Sequence, residues 1–466
     1  RTEAEALGIE ADLGLDEDIS PAEALSRIDR FVCDIKESQF GEGLHVFGRA
    51  TQCQTAFDSD SSVAAEQQAI KQALSGQRIA AGPSGSPYRG RTDVLPSGRN
   101  LFATDPLSVP TRTAYAQGVK LAEEFIRRHL QDQGDWPSGV VVDLWGSATM
   151  RTAGEEFAMA MHLLGVRPVW TDGTERVSGF EILPLALLDR PRIDVTLRVS
   201  GLFRDVFPTL SSLYQQAVEA LAMRPETPDW NPYMTATARA RVFGPAPGAY
   251  GLGMGAAAEQ LTEAGRQAAA DAWIEASSYA IDGEVVYQDK QAIQDRIAQA
   301  DSFIHLQDMP ETDLLLSADY AAHEAGFAAA KASVGGTAAL YHIDNTDPDR
   351  PAARTLTEEI ARVVHARACN PAWLAGMQRH GYRGAAEIAA TLTHMAAFAN
   401  LADVVGSHLF DSYHDATLGD DDILSFMAEH NPEALAAMQD CFQQLFEAGL
   451  WQTRRNSVRD LLEVSA

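Results

Sequence analysis

Lysine is nearly missing from this sequence: five stand among 466 residues, beside 32 arginines and 65 acids. The resulting formal charge of −28 repels phosphate backbones and anionic lipid, so neither nucleic acid nor a membrane surface is an expected partner. The same acidity attracts divalent cations, although most such residues form solvated faces. The four cysteines (Cys33, Cys53, Cys369 and Cys441) form no CxxC pair, which excludes a zinc knuckle or disulfide framework and predicts a reduced, cytoplasmic setting. No apolar run approaches the roughly 18 residues that cross a bilayer. There is no G-x-x-x-x-G-K-[ST] stretch, so no P-loop ATPase is expected, and no G-x-S-x-G elbow of an α/β-hydrolase. The start, Arg1-Thr2-Glu3-Ala4, has no signal-peptide anatomy and suggests a piece of a longer protein.

What is present is globular: 45% apolar and 8% aromatic residues, in a chain long enough for two or three domains. Three textures follow one another. Residues 1–80 read as mainly helical, with an N-cap and N1 proline at Ser20-Pro21 and a second helix over Ser61–Ser75. Residues 81–350 alternate strand, turn and helix, with strands expected at Val140–Leu144, Arg192–Val199, Ser302–Leu306 and Ala338–Ile343. That alternation predicts a parallel-sheet α/β core. A Gly-, Pro- and Arg-rich loop at 82–110 precedes it, of a length usually disordered or functional. Residues 351–466 read as a C-terminal helical domain opened by the capping box Thr355-Leu356-Thr357-Glu358.

Four groups of residues have chemistry to offer. The turns Asp143-Leu144-Trp145-Gly146-Ser147 and Arg198-Val199-Ser200-Gly201-Leu202-Phe203-Arg204-Asp205 leave strands and enter helices, where free N–H groups favour anions. Ordinary βα connections have the same composition, with Arg204–Asp205 as a surface pair. The segment His305–Asp313, followed by Asp319, His323 and Glu324, lies at the carboxyl end of a strand. Its imidazole and carboxylates suit a borderline divalent metal or proton transfer, and its acids equally suit a helix start. His45, between Gly43-Leu44 and Val46-Phe47-Gly48, is a candidate base or a core histidine. The loop arginines Arg89, Arg91, Arg99 and Arg112 could fork onto carboxylates, though arginine is this chain's default cation. Arg241–Gly253 is glycine-rich, but its prolines remove N–H donors and it is no nucleotide fingerprint.

Several longer words resemble the large subunits of class I chelatases: Gly43-Leu44-His45-Val46-Phe47-Gly48, Arg190-Pro191-Arg192-Ile193-Asp194-Val195, Ser200–Asp205, Pro247-Gly248-Ala249-Tyr250-Gly251 and Asn370-Pro371-Ala372-Trp373. That family comprises the cobaltochelatase large subunit and its magnesium chelatase relative. Pro83–Pro87, Asp93–Asn100, His305–Asp313 and Trp451–Asn456 look like the cobalt branch. The match is to the carboxy-terminal part of proteins that exceed a thousand residues. The resemblance implies cobalt(II) as substrate, insertion into hydrogenobyrinic acid a,c-diamide, and two further subunits, one an AAA+ ATPase that hydrolyses ATP with Mg. Alternatives are magnesium insertion into protoporphyrin IX, or a non-catalytic tetrapyrrole-binding protein. On residue chemistry, His45 and His305 are the expected bases. Arg89, Arg99, Ser200, Arg204 and Tyr250 are expected at the macrocycle, and His305, Asp308, Glu311 and Asp313 at the metal.

Overall fold

The computed structural model describes residues 10–15, 19–38, 40–41, 43–49, 59–85, 87–89, 91–98, 104–235, 239–456 and 458. Arg99 and Cys53 lie outside them. One eight-stranded sheet organises the chain, in the order β10-β9-β8-β1-β4-β5-β6-β7. Its strands are β1 Gly139–Leu144, β4 Asp194–Val199, β5 Val242–Gly244, β6 Tyr279–Asp282, β7 Val285–Gln288, β8 Ser302–Gln307, β9 Ala339–Asp344 and β10 Ala352–Thr355. β2 Val166–Trp170 and β3 Val177–Ile182 form a separate hairpin.

The central strands β9, β8, β1, β4 and β5 are parallel. β1, β4 and β8 are buried almost throughout, as strands covered on both faces must be, and their β-branched runs made them readable in the sequence. The antiparallel edges β10, β6 and β7 were not anticipated. They are short and half-exposed, with no unbroken apolar run to announce them.

Two apolar cores flank the sheet. Val140, Val142, Leu197 and Ile304 point to one, with helices Arg112–Gln133, Glu155–Leu164 and Pro208–Ala222. Val141, Phe243 and Phe303 point to the other, with Glu263–Glu275, Gly326–Val334 and the helices after Thr355. Ala24 and Phe31 of helix Pro21–Glu37 join this second core, so that helix packs with the elements around the sheet. The boundary expected at 351 falls inside the β9–β10 hairpin. The capping box forms as expected, Thr355 Oγ1 accepting from Glu358 N while the Glu358 carboxylate accepts from Thr355 N. The loop expected at 82–110 contains three short 3-10 turns.

The chain that follows β1 and β4 forms two helices in each case, with a break between them. Helix Gly146–Thr152 ends at Ala153 and Gly154, both with positive φ, before Glu155–Leu164 begins. Helix Gly201–Val206 stops before Pro208, which starts the next helix at N1.

Candidate active site at the carboxyl edge of the sheet

A cavity of about 460 Å³ opens where β1 and β4 end, the place where open α/β sheets bind ligands. Trp145 and Ser147 line it after β1, Ser200 and Leu202 after β4. Tyr250–Gly255 form a second wall, and His323 with Asp319 a third. Thr393, His394 and Ala397 come from helix Gly381–Ala402 of the C-terminal region.

The floor beneath is a buried polar cluster centred on Asp143. Arg198 Nη1 donates to its Oδ1 at 3.1 Å. Its Oδ2 is met by Trp145 Nε1 at 2.8 Å, His305 Nδ1 at 3.2 Å and His323 Nδ1 at 2.7 Å. In-register pairing explains the convergence: Asp143 lies opposite Arg198 on β4 and opposite His305 on β8. Burial opposes ionisation of Asp143, but the His323 ring, the Arg198 guanidinium and the hydrogen bonds from the His305 and His323 imidazoles hold its carboxyl well below the usual range. Removing one member of such a buried set costs roughly 3–5 kcal/mol, because its partner is left charged and dry.

His323 sits in a π-helical turn, Ala321–Ala325, a local widening common at functional sites. Its Nδ1 also lies 3.0 Å from Arg198 Nη1 and 3.1 Å from Trp145 Nε1. The shortest of these contacts is to the carboxylate, so the proton is placed on Nδ1 and the lone pair on Nε2, which has no hydrogen-bond partner among the described residues. Burial, with Arg198 and His305 acting the same way, outweighs Asp143 and lowers the His323 pKa, so the ring is neutral at neutral pH. His394 is arranged alike: Nδ1 donates to the Leu315 carbonyl at 2.8 Å, and burial lowers its pKa.

Ser200 and Tyr250, both expected at the macrocycle, line the cavity. Ser200 Oγ accepts from Phe203 N and Gly146 N, tying the two helix starts together. Tyr250 is exposed and its hydroxyl donates to Asp205 at 2.7 Å. Gly201 is glycine because a Cβ there would strike the Ala249 carbonyl.

The other candidates take different positions. Arg204 is buried: its guanidinium donates to Asp205 and to the carbonyls of Pro245, Ala246 and Ala249, so it holds the glycine-rich wall and is not among the residues that line the cavity. Arg89 pairs with Glu155 and the Asn345 carbonyl, away from the cavity lining. His305 is buried behind the Trp145 ring, 4.7 Å between centroids, and supports Asp143. His45 is exposed, bonded to Glu66 at 3.0 Å, and does not line the cavity.

The expected metal set disperses. Asp308 forks onto Arg151, Asp313 is buried against Arg367, Glu311 is exposed, and His305 faces Asp143. Among the described residues no three His, Cys, Asp or Glu side chains converge as a metal site. Asp143, Trp145 and Arg198 stand inside the turn words singled out in the sequence, but only strand register shows that they meet. His394 had no local signal: it is one polar residue in an Ala-rich helix.

An α/β scaffold with a ligand cavity at its sheet edge, floored by an Asp–His–Arg cluster, defines an enzyme-like binding subunit. Residues 52–458 match the CobN/Magnesium Chelatase family model, and the chain belongs to that family. It is 41% identical over 422 residues to the aerobic cobaltochelatase subunit CobN of Sinorhizobium sp, covering 86% of this chain and 33% of that protein. The Pseudomonas aeruginosa subunit of the same name is 42% identical over 435 residues, covering 88% and 34%. A rice chloroplastic magnesium-chelatase subunit, ChlH, is more distant at 27%, covering 85% and 30%. The catalytic subunit of cobaltochelatase from Mycobacterium tuberculosis superposes with a TM-score of 0.89 at 29% identity, over 99% of this chain and 48% of that one. The chain thus spans about a third of the length of the curated relatives it matches.

Proposed function

We propose that this chain is the catalytic carboxy-terminal part of the large subunit of an ATP-dependent cobaltochelatase, and that it inserts cobalt(II) into hydrogenobyrinic acid a,c-diamide. The observation that carries the proposal is the cavity whose wall presents the free Nε2 of His323, backed by buried Asp143. Metallation requires a base for a ring N–H and a path for the metal, and a neutral imidazole serves the first need. His323 Nε2 takes the proton, and Asp143 orients the ring and stabilises the imidazolium, with His305, Trp145 and Arg198 fixing Asp143 in turn. Ser147, Ser200 and Tyr250 offer hydroxyls to peripheral amides and acids. His323 takes over the role expected of His45 and His305 because it combines a free nitrogen with a place on the cavity wall. Similarity to cobalt-branch relatives at 41–42% against 27% supports cobalt over magnesium.

Energy comes from two partner subunits, one an AAA+ ATPase that hydrolyses ATP with Mg. The complex is placed in the cytoplasm on the pattern of its cysteines, Cys33, Cys53, Cys369 and Cys441, which include no CxxC pair; among the described residues no helix is long and apolar enough to cross a membrane.

The test is His323→Gln in the complete three-subunit enzyme. Cobalt insertion, followed by the corrinoid absorption spectrum, is expected to fall by about 10²-fold or more, with macrocycle binding retained. Insertion at the wild-type rate would remove His323 from the mechanism.

A further inference from the structure

A chelatase cannot hold its metal tightly, since each donor added to a site raises the cost of giving the ion up. The absence of a converging three-ligand cluster among the described residues leaves single donors on the cavity wall to be considered. His394 is one of them. Its Nδ1–H is fixed by a carbonyl that can only accept, so the lone pair of the neutral ring is on Nε2. A ligating histidine characteristically has its other nitrogen tied in this way.

The surroundings separate His394 from His323. Arg198 lies 3.0 Å from the His323 ring and shares the charge of Asp143, which disfavours a dication on that wall. Next to His394, the Arg367 guanidinium is neutralised by a two-pronged pair with Asp313. The helix of His394 is also joined to the loop bearing Glu259, Asn400 Nδ2 donating to the Gln260 carbonyl at 3.0 Å. Glu259 and Asp319, both exposed, line the same cavity, and among the described residues no Lys or Arg joins them in its lining.

We propose that His394 is the handover ligand for the incoming divalent metal, and that the cavity divides the chemistry between two walls. The proposal rests on the chelatase reading above. Glu259 and Asp319 draw the hydrated cation in, and His394 Nε2 replaces one of its waters. As the ring nitrogens bind the metal, the Nε2–metal bond breaks and the ring N–H proton passes to His323 Nε2. The metal stays divalent throughout. Imidazole selects a borderline ion such as cobalt(II) over magnesium, which prefers oxygen donors.

His394→Asn tests this in the full-length subunit with its partners. The Asn amide can keep the bond to the Leu315 carbonyl while the distal nitrogen is lost. The KM for cobalt is expected to rise by about tenfold or more, with kcat at saturating cobalt nearly unchanged. His323→Gln is expected to do the reverse. Cobalt(II) alone, titrated without macrocycle and followed by its visible ligand-field bands, should bind the wild type and His323→Gln alike and His394→Asn more weakly. An unchanged cobalt KM in His394→Asn overturns the proposal, as does equal loss of cobalt binding in both variants. Early unfolding of both His394→Asn and His394→Gln would also overturn it, by making His394 structural. If cobalt binds at His394 but the wild-type complex metallates nothing, the chelatase reading fails and the site stands. If the complex metallates normally with His394→Asn, the site fails and the reading stands.

Discussion

Glu155 carries an acid–base property that solution measurements can reach. Burial raises its pKa from 4.5 to about 7, against the opposing pull of Arg89 and Asn345. A carboxyl whose folded pKa exceeds its unfolded value binds more protons in the native state. Its contribution therefore favours folding most below the unfolded pKa and is lost as pH rises to the folded one. The expected loss between pH 4.5 and about 7 has an upper bound of roughly 3 kcal/mol. In thermal unfolding, wild type should lose stability relative to Glu155→Gln across that window. Parallel pH profiles would mean that Arg89 keeps the carboxylate ionised. Asp143 has the opposite character: its ionised form is the folded one, so the histidines around it keep fixed orientations over the working range.

At the scale of elements, the cavity depends on short pieces joined by single side chains. The wall 245–255 has almost no regular structure, and Arg204 gathers it by binding three of its carbonyls, with Tyr250 across the guanidinium at 5.7 Å. Arg204→Ala would leave those carbonyls without the charged donor. Because hydrogen bonds to charged groups contribute about 1.5–3 kcal/mol, a stability loss of about 2–4 kcal/mol is expected, accompanied by weaker macrocycle binding. Chemical denaturation and fluorescence titration measure the two. Weaker binding with unchanged stability would instead return Arg204 to direct contact with the ligand. The breaks at Ala153-Gly154 and Phe207-Pro208 serve the same end, since each allows a short helix to start at the sheet edge and a longer one to cover the sheet face.

At the scale of the whole molecule, the proposal gives ATP hydrolysis to a partner subunit, and this sequence has no G-x-x-x-x-G-K-[ST] stretch. Purified chain is expected to show no ATP hydrolysis in a phosphate-release assay, because it lacks the Gly-rich cradle and lysine that position the nucleotide. Turnover by clean protein would contradict the assignment of ATP to a partner subunit. Acidity spread over the surface also concentrates divalent cations near the cavity mouth at low salt, an advantage that ionic strength screens.

Local sequence determined four of the five central strands, β5 excepted, the capping box at Thr355–Glu358 and the glycine turns at Gly146 and Gly201. In each case the signal lies within a few consecutive residues: a β-branched run, a cap at fixed spacing, a turn that needs no side chain. It also placed the Ser200–Asp205 turn at the carboxyl edge of the sheet. The proposed donor set was decided only by tertiary structure. Asp143, Arg198, His305 and His323 are separated by up to 180 residues, and strand register together with a π-turn brings them into one hydrogen-bonded group. Conversely, Asp308 and Asp313 are close in sequence to His305, but each is turned to its own arginine. A buried carboxylate goes to the nearest cation the fold supplies, and local sequence does not specify which one that will be.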